Sequence, residues 1–230
     1  MKTRIALLIV LCLTITVAGY AQERSTVDVR DNNIALGLRA GHNATFGSFT
    51  AASLQTVQTF RNVSVEAGVQ YNTIGRTAIE ARPAYTKSYG WGKVSAEALV
   101  AYSNMANVNT VSAGAGVDVS SRWVGGNIGY YYRIFGTRGN KIQEPFNIFY
   151  ELRVNLLAML KSWSLQFVIT NNEMFELERH YQPTFILRCG HDLMERLGIS
   201  AGVGCKPAGV FNISAEYYQA FINLGVCYKW

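Results

Sequence analysis

The stretch from Ala220 to Trp230 alternates without a break: Ala220, Ile222, Leu224, Val226, Tyr228 and Trp230 are apolar, while Asn223, Gly225 and Lys229 stand among the positions between. A period of two is the mark of a strand with one face turned away from water. Eleven residues is also about the length of a strand that crosses a bilayer at a tilt of roughly 45°.

The same alternation recurs along most of the chain. Segments at 34–41, 49–60, 63–72, 79–85, 94–103, 111–119, 124–133, 146–155, 163–170, 175–188, 197–204 and 211–217 precede the closing one. Single-chain bacterial membrane barrels use an even number of strands, and this count is thirteen. Phe49–Phe60 is the weakest segment and is the one expected to merge or drop out. That leaves a single closed antiparallel barrel of about 12 strands, within a range of about 10–14. Thr73–Arg76, Ser88–Gly92, Ser120–Arg122, Asn171–Glu173 and Lys206–Gly209 are turn-sized. The longest connection is expected at Gly136–Pro145. Pro83 and Pro183 fall within strand segments and predict local bulges, because proline removes a ladder donor.

Periodicity alone does not say which face meets water. In a soluble barrel or sandwich the apolar side points inward; in a membrane barrel it points to lipid. The polar face decides for lipid. The chain is only 16% charged and holds 21 Gly, and its polar face uses Gly, Ser, Asn and Thr where a soluble protein would place Lys, Glu and Asp. Its 13 Tyr and 4 Trp, many near strand ends, suit interfacial girdles. Beyond the N-terminus no apolar run approaches the roughly 18 residues of a spanning helix; none exceeds the five of Leu156–Leu160. A membrane form must therefore be a closed barrel, which satisfies every backbone group.

At the N-terminus, Met1-Lys2-Thr3-Arg4 is a basic segment, Ile5–Val17 is apolar, and Gly19 and Ala21 supply the small residues of a cleavage site. Residues 1–21 read as a secretory signal peptide, 22–32 as a short periplasmic segment and 33–230 as the barrel. Together with the strand alternation and the closing aromatic strand, this resembles the bacterial outer-membrane β-barrel proteins, porin-like in the broad sense and of small to medium size. The resemblance covers essentially the whole chain after the signal segment. It implies a cell outer-membrane location, export by the secretion machinery, and insertion by a barrel-assembly machinery that reads Leu224, Val226, Tyr228 and Trp230. The partners it implies are outer-membrane lipids. A net charge of +6 with no basic run does not describe a nucleic-acid binder, and no cofactor is expected.

Register gives a candidate site. A hairpin turning about residue 74 sets Tyr71 against Thr77 and Glu66 against Arg82. The next hairpin is expected to set Arg82 against Glu97 as well, with Glu80 diagonal to it. Opposite charges across a ladder attract, and in a narrow lumen they are tolerable only when paired. Arg133, Glu151, Arg153, Glu178, His180, Arg188 and Glu216 share the inward parity. The cluster zips the lumen shut, forms a constriction that selects small solutes, or serves a catalytic role. The Gly- and Ser-rich inner faces of Ala113–Asp118 and Gly198–Gly204 are expected to leave room for water.

Cys189, Cys205 and Cys227 are an odd set and read as apolar fillers. Cys189 and Cys205 are expected at opposite ends of a hairpin, about 25 Å apart and beyond disulfide reach. His42 and His191 fall in predicted turns, and His180 lies beside Glu178. No serine is tied to that pair by spacing, no G-x-S-x-G elbow occurs, and the His and Cys spacings are not those of a metal site. The leading expectation is a non-enzymatic narrow passive channel or structural envelope protein. The alternatives are a lipid-acting barrel enzyme of lipase or deacylase type centred on His180, and a secreted soluble β-barrel or sandwich binding protein.

Overall fold

The computed structural model describes residues 32–137, 139–157, 162–173, 183–207 and 217–230. The alternating segments become twelve strands: β1 (Asn33–Asn43), β2 (Gly47–Phe60), β3 (Val63–Asn72), β4 (Thr77–Tyr89), β5 (Gly92–Met105), β6 (Val108–Ser120), β7 (Val124–Gly136), β8 (Lys141–Asn155), β9 (Trp163–Thr170), β10 (Thr184–Met194), β11 (Leu197–Pro207) and β12 (Tyr217–Lys229). From β2 to β12 each strand pairs with the next, β12 returns to pair antiparallel with β1, and β1 lies beside β2. The result is a closed, all-β, 12-stranded antiparallel barrel. The closing seam aligns Leu38 with Leu224 and Gly37 with Gly225. Beside it, the Thr56 hydroxyl of β2 donates to the Asn33 carbonyl of β1 over 2.9 Å.

Because the strand number is even, the first and last strands meet at one rim, where Trp230 N donates to the Asn32 carbonyl. This terminal rim also carries the connections at 61–62, 90–91, 121–123, 156–162 and 195–196. The far rim carries those at 44–46, 73–76, 106–107, 137–140, 171–183 and 208–216.

The apolar parity faces outward. Leu38, Ile79, Val100, Ile128, Ile222 and Leu224 are 53–64% exposed, whereas polar Glu80 and Arg153 on the inward parity are only 1% and 2% exposed. This is the inside-out arrangement of a membrane barrel. At roughly 3.3 Å per residue and a tilt near 40°, a strand of 13 residues such as β12 rises about 30 Å, enough for an apolar band about 25 Å tall.

Several local expectations are corrected. Phe49–Phe60 neither merges nor drops out; it is β2. Its alternation is weak because Ser48, Thr50 and Gln58 face outward while Phe49 and Ala51 are buried inside. Pairing with β3 defines it, from Ala51–Asn72 to Phe60–Val63. Of the segment read at 211–217, only Tyr217 is described. Strands β11 and β12 pair directly, with Pro207 against Tyr217, so Tyr217 opens β12; 211–216 lie outside the described residues, as do Phe175, Leu177 and Tyr181. Lys141 already opens β8, so the connection expected at Gly136–Pro145 shrinks to 137–140.

Pro83 makes no bulge. Register between β4 and β5 is the same on both sides of it, and the ladder simply lacks pairs at Arg82 and Pro83. Pro183 precedes β10, a position that asks for no ladder donor. Because β10 runs on to Met194, Cys189 lies within a strand opposite Ala201 while Cys205 lies opposite Phe185. Four residues of offset is about 13 Å, less than expected yet still beyond bonding reach, and all three described cysteines are free.

Candidate functional site: a constricted lumen

The inward parity collects charge on the inside of the barrel, and buried charge must be paired to be tolerated. Toward the terminal rim, Arg153 of β8 donates to Asp118 of β6 and, at 2.9 Å, to Glu151 on its own strand. Gly125 of β7 lies between those strands and makes room for the guanidinium; a Cβ there would meet Arg153 Nη2 at 3.1 Å. Nearby, Asn127 Nδ2 donates to Glu97 Oε1 at 3.0 Å.

Toward the far rim the lumen narrows to a throat. Strand β9 spans 8 residues against the 15 of β8, so β8 outruns its partner and leaves an edge. Asn171 caps that edge: its Oδ1 accepts from Tyr150 N at 2.7 Å, and its Nδ2 donates to the Ile148 carbonyl at 3.0 Å. The chain then turns inward. Asn171, Asn172 and Glu173 are all buried. Arg39 of β1 donates to Glu173 at 2.9 Å and to Asn223 of β12 at 2.8 Å, with its guanidinium 4.1 Å from the centre of the Phe221 ring. From across the barrel, Arg82 of β4 donates to the Asn172 carbonyl at 3.3 Å and to Glu80 on its own strand. Side chains from two separate strands thus meet on a segment three residues long.

Aromatic rings fill the space the glycines leave. Phe221 lies across Gly204 of β11, and Phe149 lies across Gly116 of β6 and Gly129 of β7, so that a Cβ at any of these would collide with a ring. Phe49, Val168, Ile186 and Phe221 pack into one apolar cluster; Leu99, Tyr131 and Phe149 form a second. The expectation that the glycine-rich faces hold water is therefore overturned at Gly116 and Gly204. Open space lies instead between β4 and β7, in a cavity of about 170 Å³ whose lining includes Arg76, Glu80, Ser103, Thr110, Ser112 and Arg133. Arg133 is held there by Glu144 of β8 at 2.7 Å.

Glu66 opposes Arg82 in the β3–β4 register, as expected, and Tyr71 opposes Thr77. Glu97 does not oppose Arg82. The β4–β5 register runs two residues off the expected one and sets Glu97 against Ala84. Arg133, Glu151 and Arg153 face the lumen in the pairs given above, and Arg188 is half-buried on β10 opposite Gly202. Glu178, His180 and Glu216 lie outside the described residues. His42 and His191 sit in β1 and β10, not in turns. The His191 ring stacks on Trp163 with centroids 4.2 Å apart. In the closing strand, Leu224 and Val226 face outward, and Tyr228 stacks on Trp230.

Arg39, Asp118, Glu144, Asn172 and Glu173 were missed as members of the lumen set. Strand parity alone would have included Arg39 and Asp118. Nothing in the sequence marks Asn171–Glu173 as turning inward, because that follows from β9 stopping short.

No protein-family model and no curated protein sequence matches the chain. Solved structures do. A KdgM porin in complex with disordered oligogalacturonate aligns at 13% identity with a TM-score of 0.54, covering 85% of this chain and 98% of that one. An outer-membrane channel from Pseudomonas putida F1 aligns at 8% identity with a TM-score of 0.55, covering 94% and 98%. The translocator domain of the autotransporter NalP from Neisseria meningitidis aligns at 11% identity with a TM-score of 0.55, covering 87% and 88%. At such identities the likeness speaks to architecture, and this chain has the fold of the bacterial outer-membrane porins and channels.

Proposed function

We propose that the protein is a non-enzymatic outer-membrane barrel acting as a narrow passive channel for small polar solutes. The observation that carries this reading is the throat, where Arg39 and Arg82 reach from different walls onto Asn172 and Glu173. A lumen lined by paired charges passes polar solutes more readily than apolar ones, and one so occluded passes only small ones. The porin and channel folds it resembles support the reading without fixing it, since one fold hosts several functions.

In this reading the terminal rim faces the periplasm, because barrels keep short turns on that side. Residues 1–21 are a signal peptide, and the Leu224–Trp230 strand is what the assembly machinery reads.

Planar-bilayer recording on purified protein tests the proposal. Small, brief conductance steps are expected from the wild type, and larger ones from Glu173→Ala. Silence from both proteins would leave a structural envelope role, which the burial of most lumen side chains favours as a second reading.

A further inference from the structure

All four tryptophans lie at the terminal rim. Trp91 and Trp123 stand in the connections at 90–91 and 121–123, Trp163 opens β9, and Trp230 follows β12. They are 46–60% exposed. The far rim has none.

Exposed cations gather at the same rim: Arg61, Lys87, Arg122 and Arg196. Three of them lie beside an aromatic neighbour. Arg61 is 5.6 Å from the centre of the Phe60 ring, Lys87 is 5.5 Å from that of Tyr89, and Arg122 is 5.5 Å from that of Trp123. Asp192 is engaged by Lys229 at 3.1 Å, and Glu195 is exposed beside Arg196. Among the described residues of the far rim, Lys141 is exposed while Arg76 and Lys206 are buried.

Arg61 holds φ at +55°, a left-handed conformation that glycine or asparagine adopts more easily.

We propose that the terminal rim is a binding belt for anionic glycerophospholipid headgroups, an inference that rests on the membrane-barrel reading above. Each aromatic ring sits at the boundary of the acyl layer, where an amphipathic ring is stable. The adjacent cation is then held at the level of the phosphates. The attraction is electrostatic, so it distinguishes phosphatidylglycerol from zwitterionic phosphatidylcholine. Near an anionic surface each engaged cation is worth about fivefold in affinity.

Tryptophan fluorescence reads the belt directly, since every tryptophan lies on it. The full chain is reconstituted in phosphatidylcholine vesicles in which a fraction of the lipid is acyl-brominated, as either phosphatidylglycerol or phosphatidylcholine. At low salt the brominated phosphatidylglycerol is expected to quench several-fold more at equal mole fraction. About 1 M NaCl, with a Debye length of about 3 Å, is expected to equalise the two lipids without any substitution. The combined variant Arg61→Gln, Lys87→Gln, Arg122→Gln and Arg196→Gln is expected to equalise them at low salt, while Lys141→Gln leaves the difference intact. Equal quenching of the wild type by both lipids at low salt would overturn the belt and leave the barrel standing. Absence of quenching by either would overturn both.

Discussion

Arg39 and Glu173 are 134 positions apart in the sequence and 2.9 Å apart in the lumen. Removing either one strands a buried charge, which typically costs about 3–5 kcal/mol. Arg39 retains Asn223 and the Phe221 face, so Glu173→Leu is expected at the lower end, near ~3 kcal/mol. Replacing both residues with leucine removes the desolvation penalty along with the attraction, and should restore most of the loss. Denaturant unfolding in detergent micelles measures each corner of this cycle. A coupling energy near zero would show that the two side chains do not act as a pair.

The rings in the lumen depend on their glycine seats. Gly204→Val pushes side-chain atoms into Phe221, and overpacking of this kind costs about 1–3 kcal/mol. Phe221→Ala in the same chain should relieve much of that cost. The heat-induced gel-mobility shift of the folded barrel reports on both variants. If Gly204→Val is as stable as the wild type, the ring does not occupy that seat.

Much of this architecture was legible because a barrel has one rule, strict alternation, and most of the strands obey it. The closing strand showed its outward residues outright. Where reading failed, the alternation was blurred or the cause was not local. On β2, Phe49 sits on the inside and Ser and Thr sit on the outside, so contrast between the faces vanished. The Glu97 register depended on the length of one turn: the β4–β5 connection is Gly90–Trp91, and a two-residue shift carries a side chain from one partner to the next on the same face. The throat was invisible for a deeper reason. Asn171–Glu173 looks like a turn, and only the mismatch in length between β8 and β9, together with Arg39 and Arg82 arriving from distant strands, turns it into the lumen.

Two positions in hairpin turns separate stability from lipid preference. Arg61 and Ala106 both have positive φ, +55° and +47°. Left-handed backbone at a non-glycine residue costs roughly 1–2 kcal/mol. Arg61→Gly and Ala106→Gly should therefore each stabilise the barrel by about 1 kcal/mol, seen as a higher denaturant midpoint. Only Arg61→Gly should also weaken the preference for phosphatidylglycerol. Loss of preference in both variants would mean that the effect follows turn geometry and not the guanidinium.

The orientation of the whole barrel is testable on its last strand. Leu224 lies near the middle of β12, outward, paired across the seam with Leu38. Tyr228 lies four residues nearer the terminal rim. Arginine on a lipid face costs about 2–4 kcal/mol at the midplane and about 0–1 near the interface. Leu224→Arg should thus destabilise the barrel in phospholipid vesicles far more than Tyr228→Arg, and the gap should shrink in micelles, whose surfaces deform around a charge. A soluble barrel predicts the reverse. There, arginine at an exposed Leu224 would be harmless or would improve solubility, because water already covers that site. Equal, small penalties in vesicles would therefore remove the bilayer from the account, and with it the physical reason for an outward apolar face.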